Sequence, residues 1–250
     1  MCQRYPTAQM LYVESSVPPS ITSANVVSWG RMRGKLIVID GSDGVGKATQ
    51  TKMLVTRLHK EGVRVETLDF PQYKQNFFGR FLKQCLMGEF GDFIAVDPHV
   101  ASVVYAADRF ESKTKIEQWL AQGKVIILDR YVSANQLHQG GKIKNAKARK
   151  EFLSWLDKME HGVFGLPRPD GIIYLNLPTR LSLKLIGKRN KKDLAERNVR
   201  YLTNARLSAL KLIKTSAKWR KIECASGKGI LSRELIHEQV YEAFKKLTRV

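Results

Sequence analysis

The chain has 250 residues, 43% of them hydrophobic and 26% charged, and carries a net charge of +20. That length supports one domain with a sizeable core, and the composition is that of a globular protein rather than a disordered or fibrous one. No apolar run approaches the ~20 residues needed to cross a bilayer, which argues against a membrane protein. The three cysteines, Cys2, Cys85 and Cys224, are scattered and form no C-x-x-C pair. Reduced thiols in a cytoplasmic setting are expected, not a disulfide framework.

Residues 1–33 are rich in Ser and Pro and lack apolar periodicity, so a disordered extension is expected there. It reads as a dispensable tail, a start upstream of Met32, or a targeting segment. From Lys35 onward, short apolar runs alternate with helical patterns. Strands are predicted over 35–40, 63–69, 124–129, 171–176 and 221–224. Helices are predicted over 47–60, 98–122, 145–160, 179–188, 194–216 and 232–247, with Asp97 and Pro98 as a cap and first turn. This alternation predicts one α/β domain, residues 34–250, with a five-stranded parallel sheet flanked by helices on both faces.

The first strand runs into Gly41-Ser42-Asp43-Gly44-Val45-Gly46-Lys47, a G-x-x-x-x-G-K loop between a strand and a helix. Its glycines permit turns that point backbone N–H groups inward, Lys47 adds a point charge for β and γ phosphates, and the following helix offers its N-terminal dipole. Ala48 follows, where a hydroxyl that ligates Mg²⁺ is usual. The stretch "GKATQ" resembles adenylate kinases, whose G-K-G-T also lacks that hydroxyl, with Thr49 as the retained one.

Asp129-Arg130 ends another apolar run, at the strand edge where open α/β sheets bind ligands. Asp129 suits Mg²⁺ or its waters and Arg130 suits a phosphate held bidentately; the pair also reads as a structural ion pair. Tyr105 and Arg109, four apart on a predicted helix, share a face. They could stack and hydrogen-bond a nucleobase, or be a core ring and a surface charge. "DFPQY", 69–73, could wall the same cleft. Between Gly187 and Lys221, twelve Lys or Arg face only Asp193 and Glu196. A solvated helical face and a lid over polyphosphate both fit. No aromatic-interleaved basic motif accompanies the charge, so nucleic-acid binding is not favoured.

Taken together, "DGSDGVGKATQ", "DFPQY" with "YAADRFE", and "DRYVSANQLHQGG" resemble the thymidylate kinase (dTMP kinase) family in order and spacing. "LPRPDGIIYLNLP" and "KRNKKDLAERNVRYL" fall where that family has its fourth strand and lid. The resemblance spans about residues 32–245 and implies a three-layer P-loop kinase fold with a helical lid at about 187–200. It implies ATP and Mg²⁺, transfer of the γ-phosphoryl to dTMP, and a homodimer. By position it implies that Gly41 to Thr49 hold the donor phosphates, and that Asp43 lies near the sugar 3′-hydroxyl and acceptor phosphate. Pro71 and Tyr73 would line the acceptor site, Tyr105 would stack on thymine and Arg109 would bond the base. Arg130 would hold the acceptor phosphate, Asn135 would help bind the nucleotide, and His138 takes a position that disfavours a 2′-hydroxyl. Two departures stand out: Ala48, and Leu194 where a D-R-x-E lid carries arginine. Arg189, then Lys192 and Arg197, are the candidate replacement cations. The competing readings are a kinase for another nucleoside monophosphate or a deoxynucleoside, and a P-loop module that binds nucleotide or nucleic acid without transfer.

Overall fold

The computed structural model describes residues 33–187, 192–227 and 229–248. The expected N-terminal extension, but for Arg33, and the lid residue Arg189 lie outside these. Five strands form one parallel sheet: β1 (Lys35–Gly41), β2 (Val65–Asp69), β3 (Val125–Asp129), β4 (Gly171–Asn176) and β5 (Trp219–Glu223), in the order β2-β3-β1-β4-β5. The three central strands, β3, β1 and β4, are buried on both faces, so alternate side chains feed two cores. Ile37, Ile39, Ile127, Ile173 and Leu175 pack with Leu54 and Leu58 of α1 (Lys47–Lys60) and Val240 and Phe244 of α10 (Arg233–Thr248). Leu36, Val38, Ile126, Leu128 and Ile172 pack with Ile116 and Leu120 of α4 (Lys113–Ala121) and Ala209 of α9 (Val199–Thr215).

Register sets the site. Asp129 pairs with Ile39 on one side and with Asp69 on the other, and Gly41 pairs with Leu175. The carboxyl ends of β1, β2, β3 and β4 therefore reach one edge together. The chain runs from β1 to one side of the sheet and later to the other, which leaves a crevice beside β1 at that edge.

Several boundaries differ from expectation for local reasons. The predicted helix 98–122 is broken at Ser112 into α3 (Pro98–Glu111) and α4. Asn76 Nδ2 donates to the Asp108 carbonyl at 2.7 Å, the acceptor a continuous helix would give to the Ser112 N–H, which turns to Arg109 O instead (3.1 Å). The predicted helix 194–216 is broken at Asn198, whose side chain accepts from the Tyr201 N–H (3.0 Å) and caps α9 after the short α8 (Leu194–Arg197). Helix 145–160 becomes α6 (Ala146–Asp157) followed by a π-helical turn, Lys158–Val163. A two-residue hairpin pair, β6 (Ala225–Ser226) and β7 (Gly229–Ile230), was not foreseen.

Two further helices escaped the sequence reading. In α2 (Phe77–Met87) the apolar Leu82, Cys85 and Leu86 have helical spacing, and Gly88 at φ 90° ends it. The signal was present. In α5 (Val132–Lys142), Gly140 and Gly141 argue against a helix by propensity. Packing overrides it: a Cβ at Gly141 would lie 3.0 Å from the Asn204 backbone of α9, so glycine lets the two helices approach. Among the described residues no helix is long and apolar enough to cross a membrane.

Candidate active site

The crevice is a cleft of about 370 Å³. One wall is the turn between β1 and α1. Gly46, at φ 92°, directly precedes α1, a conformation glycine adopts without strain. Lys47 is buried, and its Nζ donates to the carbonyls of Gly41 and Ser42, both at 3.0 Å, so it braces the loop from within. Burial and the nearby Arg130 charge lower its pKa below that of an ordinary lysine. Asp43, Gly44, Gly46, Lys47, Ala48 and Thr49 line the cleft. The others expected there face away. Val45 packs in the core and its N–H bonds Ser42 O (3.4 Å), while Gly41 and Ser42 are buried with their carbonyls on Lys47.

The opposite wall is the end of β3. Arg130 adopts φ 67°, a left-handed conformation that disfavours a residue with Cβ, and its N–H is tied to Ile39 O (3.0 Å). This backbone turn aims the guanidinium across the cleft. Its Nη2 forms an ion pair with Asp43, and Nη1 lies 3.9 Å from Asp40 Oδ1. Burial opposes its charge, but Asp43, Asp40 and Asp129 more than offset that and raise its pKa. The same Asp43 oxygen is 3.7 Å from Lys47 Nζ. One carboxylate thus bridges the two cations. Arg130 therefore does form an ion pair, but with the phosphate loop rather than with its neighbour Asp129.

Arg130 Nη1 also contacts His138 Nε2 at 2.9 Å. A guanidinium only donates, so Nε2 is the acceptor and the imidazole is neutral with its proton on Nδ1. Burial, then the Arg130 charge, push its pKa down to about 3. The ring stacks on Tyr201, with centroids 5.3 Å apart. Asp129 opens on the cleft with its pKa raised by burial, against the pull of Lys47 and Arg130.

Pro71, Tyr73, Tyr105, Arg109 and Asn135 line the same cleft. The Phe70–Pro71 peptide is cis. Asp108 anchors this loop to α3, accepting from the Gln72 N–H (3.1 Å) and Asn76 Nδ2 (2.9 Å), and burial pushes its pKa up to about 6. The surface-charge reading of Arg109 fails, because it is 2% exposed and doubly bonded to Glu160. Tyr105 lies between core and cleft, its ring 6.1 Å from that of Phe93. Asp193, Ala195 and Glu196 bring the lid region to the rim, whereas Lys192 and Arg197 do not line it. Leu194, at the position of a lid arginine, packs against the Leu82, Leu86 and Phe93 cluster.

Sequence reasoning gave no role to Asp40, Glu160 or Tyr201. Asp40 is fully buried and accepts from Ser133 Oγ (2.5 Å) and the Gly41 N–H (2.7 Å). A charged residue closing an apolar strand was the available signal. Tyr201 falls at the end of the lid stretch "KRNKKDLAERNVRYL", which marks the region but not this side chain, and Glu160 lies outside every quoted motif.

The chain matches the thymidylate kinase family model over residues 39–239. It is 32% identical to thymidylate kinase of Mycobacterium tuberculosis over 156 residues, which cover 62% of this chain and 70% of that protein. It is 29% identical to a probable thymidylate kinase of Pyrococcus abyssi over 216 residues, 86% of this chain and 97% of that one. The structure of thymidylate kinase from Candida albicans superposes with a TM-score of 0.66 at 23% identity, covering 86% of this chain and 92% of that chain, a likeness of fold. The family model spans the phosphate loop, Asp129-Arg130 and the lid region alike, and that match over residues 39–239 places this chain in the thymidylate kinase family.

Proposed function

We propose that this protein transfers the γ-phosphoryl group of ATP to dTMP, giving dTDP and ADP. The observation that carries the reading is the pair of cations, Lys47 and Arg130, that share Asp43 across one cleft. Phosphoryl transfer asks the protein for in-line positioning, charge neutralisation and exclusion of water. A phosphate oxygen of dTMP attacks the γ-phosphorus, the bond to the β–γ bridging oxygen breaks, and ADP leaves with that electron pair. Lys47 and the loop hold the donor phosphates. Arg130 holds the acceptor phosphate, exchanging Asp43 for it, and Asp43 is then released towards the sugar 3′-hydroxyl. Tyr105 stacks on the base, with Pro71 and Tyr73 along the acceptor wall. His138, neutral and wedged between Arg130 and Tyr201, crowds the 2′ position.

Mg²⁺ fits this donor set in one mode. Ala48 offers no side-chain oxygen, and among the described residues no three carboxylate, His or Cys groups converge on a metal position. Asp129 supplies one hard carboxylate at the cleft, as suits an ion that keeps waters and phosphate oxygens as its other ligands. The chemistry such an ion supplies is neutralisation of charge on the β and γ phosphates. To the lid, about 187–200, we assign closure of basic charge over the transferring group, with Arg189 ahead of Lys192 and Arg197. The buried thiols of Cys85 and Cys224 suit a reducing, cytoplasmic setting.

A panel of dTMP, dUMP, dCMP, dGMP and UMP, assayed for ADP release with and without Mg²⁺, tests the reaction. dTMP is expected to have the highest kcat/KM, and chelation of Mg²⁺ to abolish turnover. A different preferred acceptor, or salt-sensitive DNA binding with no ADP release, overturns the reading.

The homodimer has its own support. Val100, Val103 and Phe110 lie along one face of α3 and are 58%, 41% and 47% exposed. An apolar helical stripe of this kind suits a subunit contact. Val103→Arg is expected to halve the molar mass measured by light scattering, and an unchanged mass argues against this face.

A further inference from the structure

Behind the acceptor wall lies a carboxylate that the proposed chemistry does not use. Glu160, in the π-helical turn, is 0% exposed and accepts from Arg109 Nε and Nη2, both at 2.7 Å. Its Oε1 also accepts from Asn135 Nδ2 at 2.8 Å, while that amide donates as well to the Ser102 carbonyl at 3.1 Å. These bonds decide which atoms remain for a ligand. Arginine offers only donors, and an asparagine amide has two donor hydrogens and one acceptor oxygen. With both Nδ2 hydrogens engaged, Asn135 is left with Oδ1, to which no group donates among the described residues. Arg109 is left with Nη1, which likewise bonds none of them, and with the second hydrogen of Nη2. Both residues line the cleft and Glu160 stands behind them.

We propose that Glu160 is a positioning residue for base recognition, locking Arg109 and Asn135 so that the cleft presents one fixed donor beside one fixed acceptor. This rests on the dTMP kinase reading and deepens it by naming the edge that is read. Thymine offers O4 beside N3–H, an acceptor beside a donor. Cytosine offers an amino group beside an unprotonated N3, the opposite order. Without the carboxylate, the Asn135 amide could turn over and read either. Because one carboxylate holds both side chains, the polarity of each is tied to the other. The pair is also charge-balanced: Glu160 neutralises an arginine that would otherwise be buried alone beside the base.

Glu160→Gln tests this. Its carbonyl can keep one of the bonds, but its NH₂ then faces a donor. For dTMP, kcat/KM is expected to fall about 10- to 100-fold, mainly through KM, since a site built to hydrogen-bond its substrate discriminates through those bonds. Use of dCMP should fall less or rise, so that the dTMP:dCMP ratio of kcat/KM drops at least about tenfold. KM for ATP should stay within about twofold, because the donor loop lies on the other wall. A merely structural role would depress both acceptors alike, and an unchanged ratio overturns the proposal. Wild-type protein supplies a second measurement that needs no variant to fold. Both dCMP and N3-methyl-dTMP should inhibit at least about 30-fold more weakly than dTMP binds; equal binding of dCMP overturns the proposal. A wild-type protein inactive on dTMP removes the function reading and this inference with it, whereas active wild type with unaltered selectivity in the variant removes only the role of Glu160.

Discussion

Lys47→Ala is expected to lower kcat by about 10³-fold, the scale on which a cation at the transferring group acts. Two effects combine. The ammonium that would meet the β and γ phosphates is lost, and so are its bonds to the Gly41 and Ser42 carbonyls, which keep the loop in shape. Lys47→Met loses both as well but retains most of the buried stem, so its comparison with alanine separates them from a mere loss of packing. If charge on the phosphates is what matters, both variants should lose kcat to a similar degree and keep thermal stability near that of wild type. Steady-state ADP release and a melting curve decide it. Near-normal turnover in either variant would remove Lys47 from the chemistry.

Arg130→Ala should act on the other substrate. KM for dTMP is expected to rise about 10²-fold while KM for ATP changes little, because the guanidinium is assigned to the acceptor phosphate. Its loss also takes a neutralising charge away from Asp43, Asp40 and Asp129. Negative potential then accumulates where an anion must enter. Arg130→Lys restores the charge without the planar fork and should recover only part of the affinity. Arg130→Gly adds a distinct structural signature. At φ 67° glycine is unstrained whereas alanine is not, a difference of about 1 kcal/mol. Arg130→Gly should therefore melt about 2–4 °C above Arg130→Ala while being equally poor with dTMP. Identical melting points would show that the backbone relaxes out of that conformation once the side chain is gone.

The parts of this protein legible in its sequence are those governed by neighbours along the chain. The glycine loop before Lys47, the cap by Asp97 and Pro98, and the apolar runs of β1, β3 and β4 each follow from local geometry, and the structure has them all. Helix ends that depend on a distant competitor were not legible. Ser112 ends α3 because Asn76, 36 residues earlier, takes the Asp108 carbonyl. Helix α5 could not be seen through Gly140 and Gly141, because its stability comes from close packing on α9 rather than from propensity.

The same division runs through the site. Sequence alone determined that a phosphate loop and an Asp-Arg pair exist and that each closes a buried strand, since both are contiguous motifs. Tertiary structure alone decided that Lys47 and Arg130 share Asp43, because strand register brings β1 and β3 to a common edge. It also decided that Arg109 is a buried, oriented donor rather than a surface charge. Its partner Glu160 is 51 positions away on a π-helical turn, and only folding sets the two 2.7 Å apart. Hydrogen bonds have no sequence range: the pattern of a chain names the donors and acceptors, and only the packed core assigns them to one another.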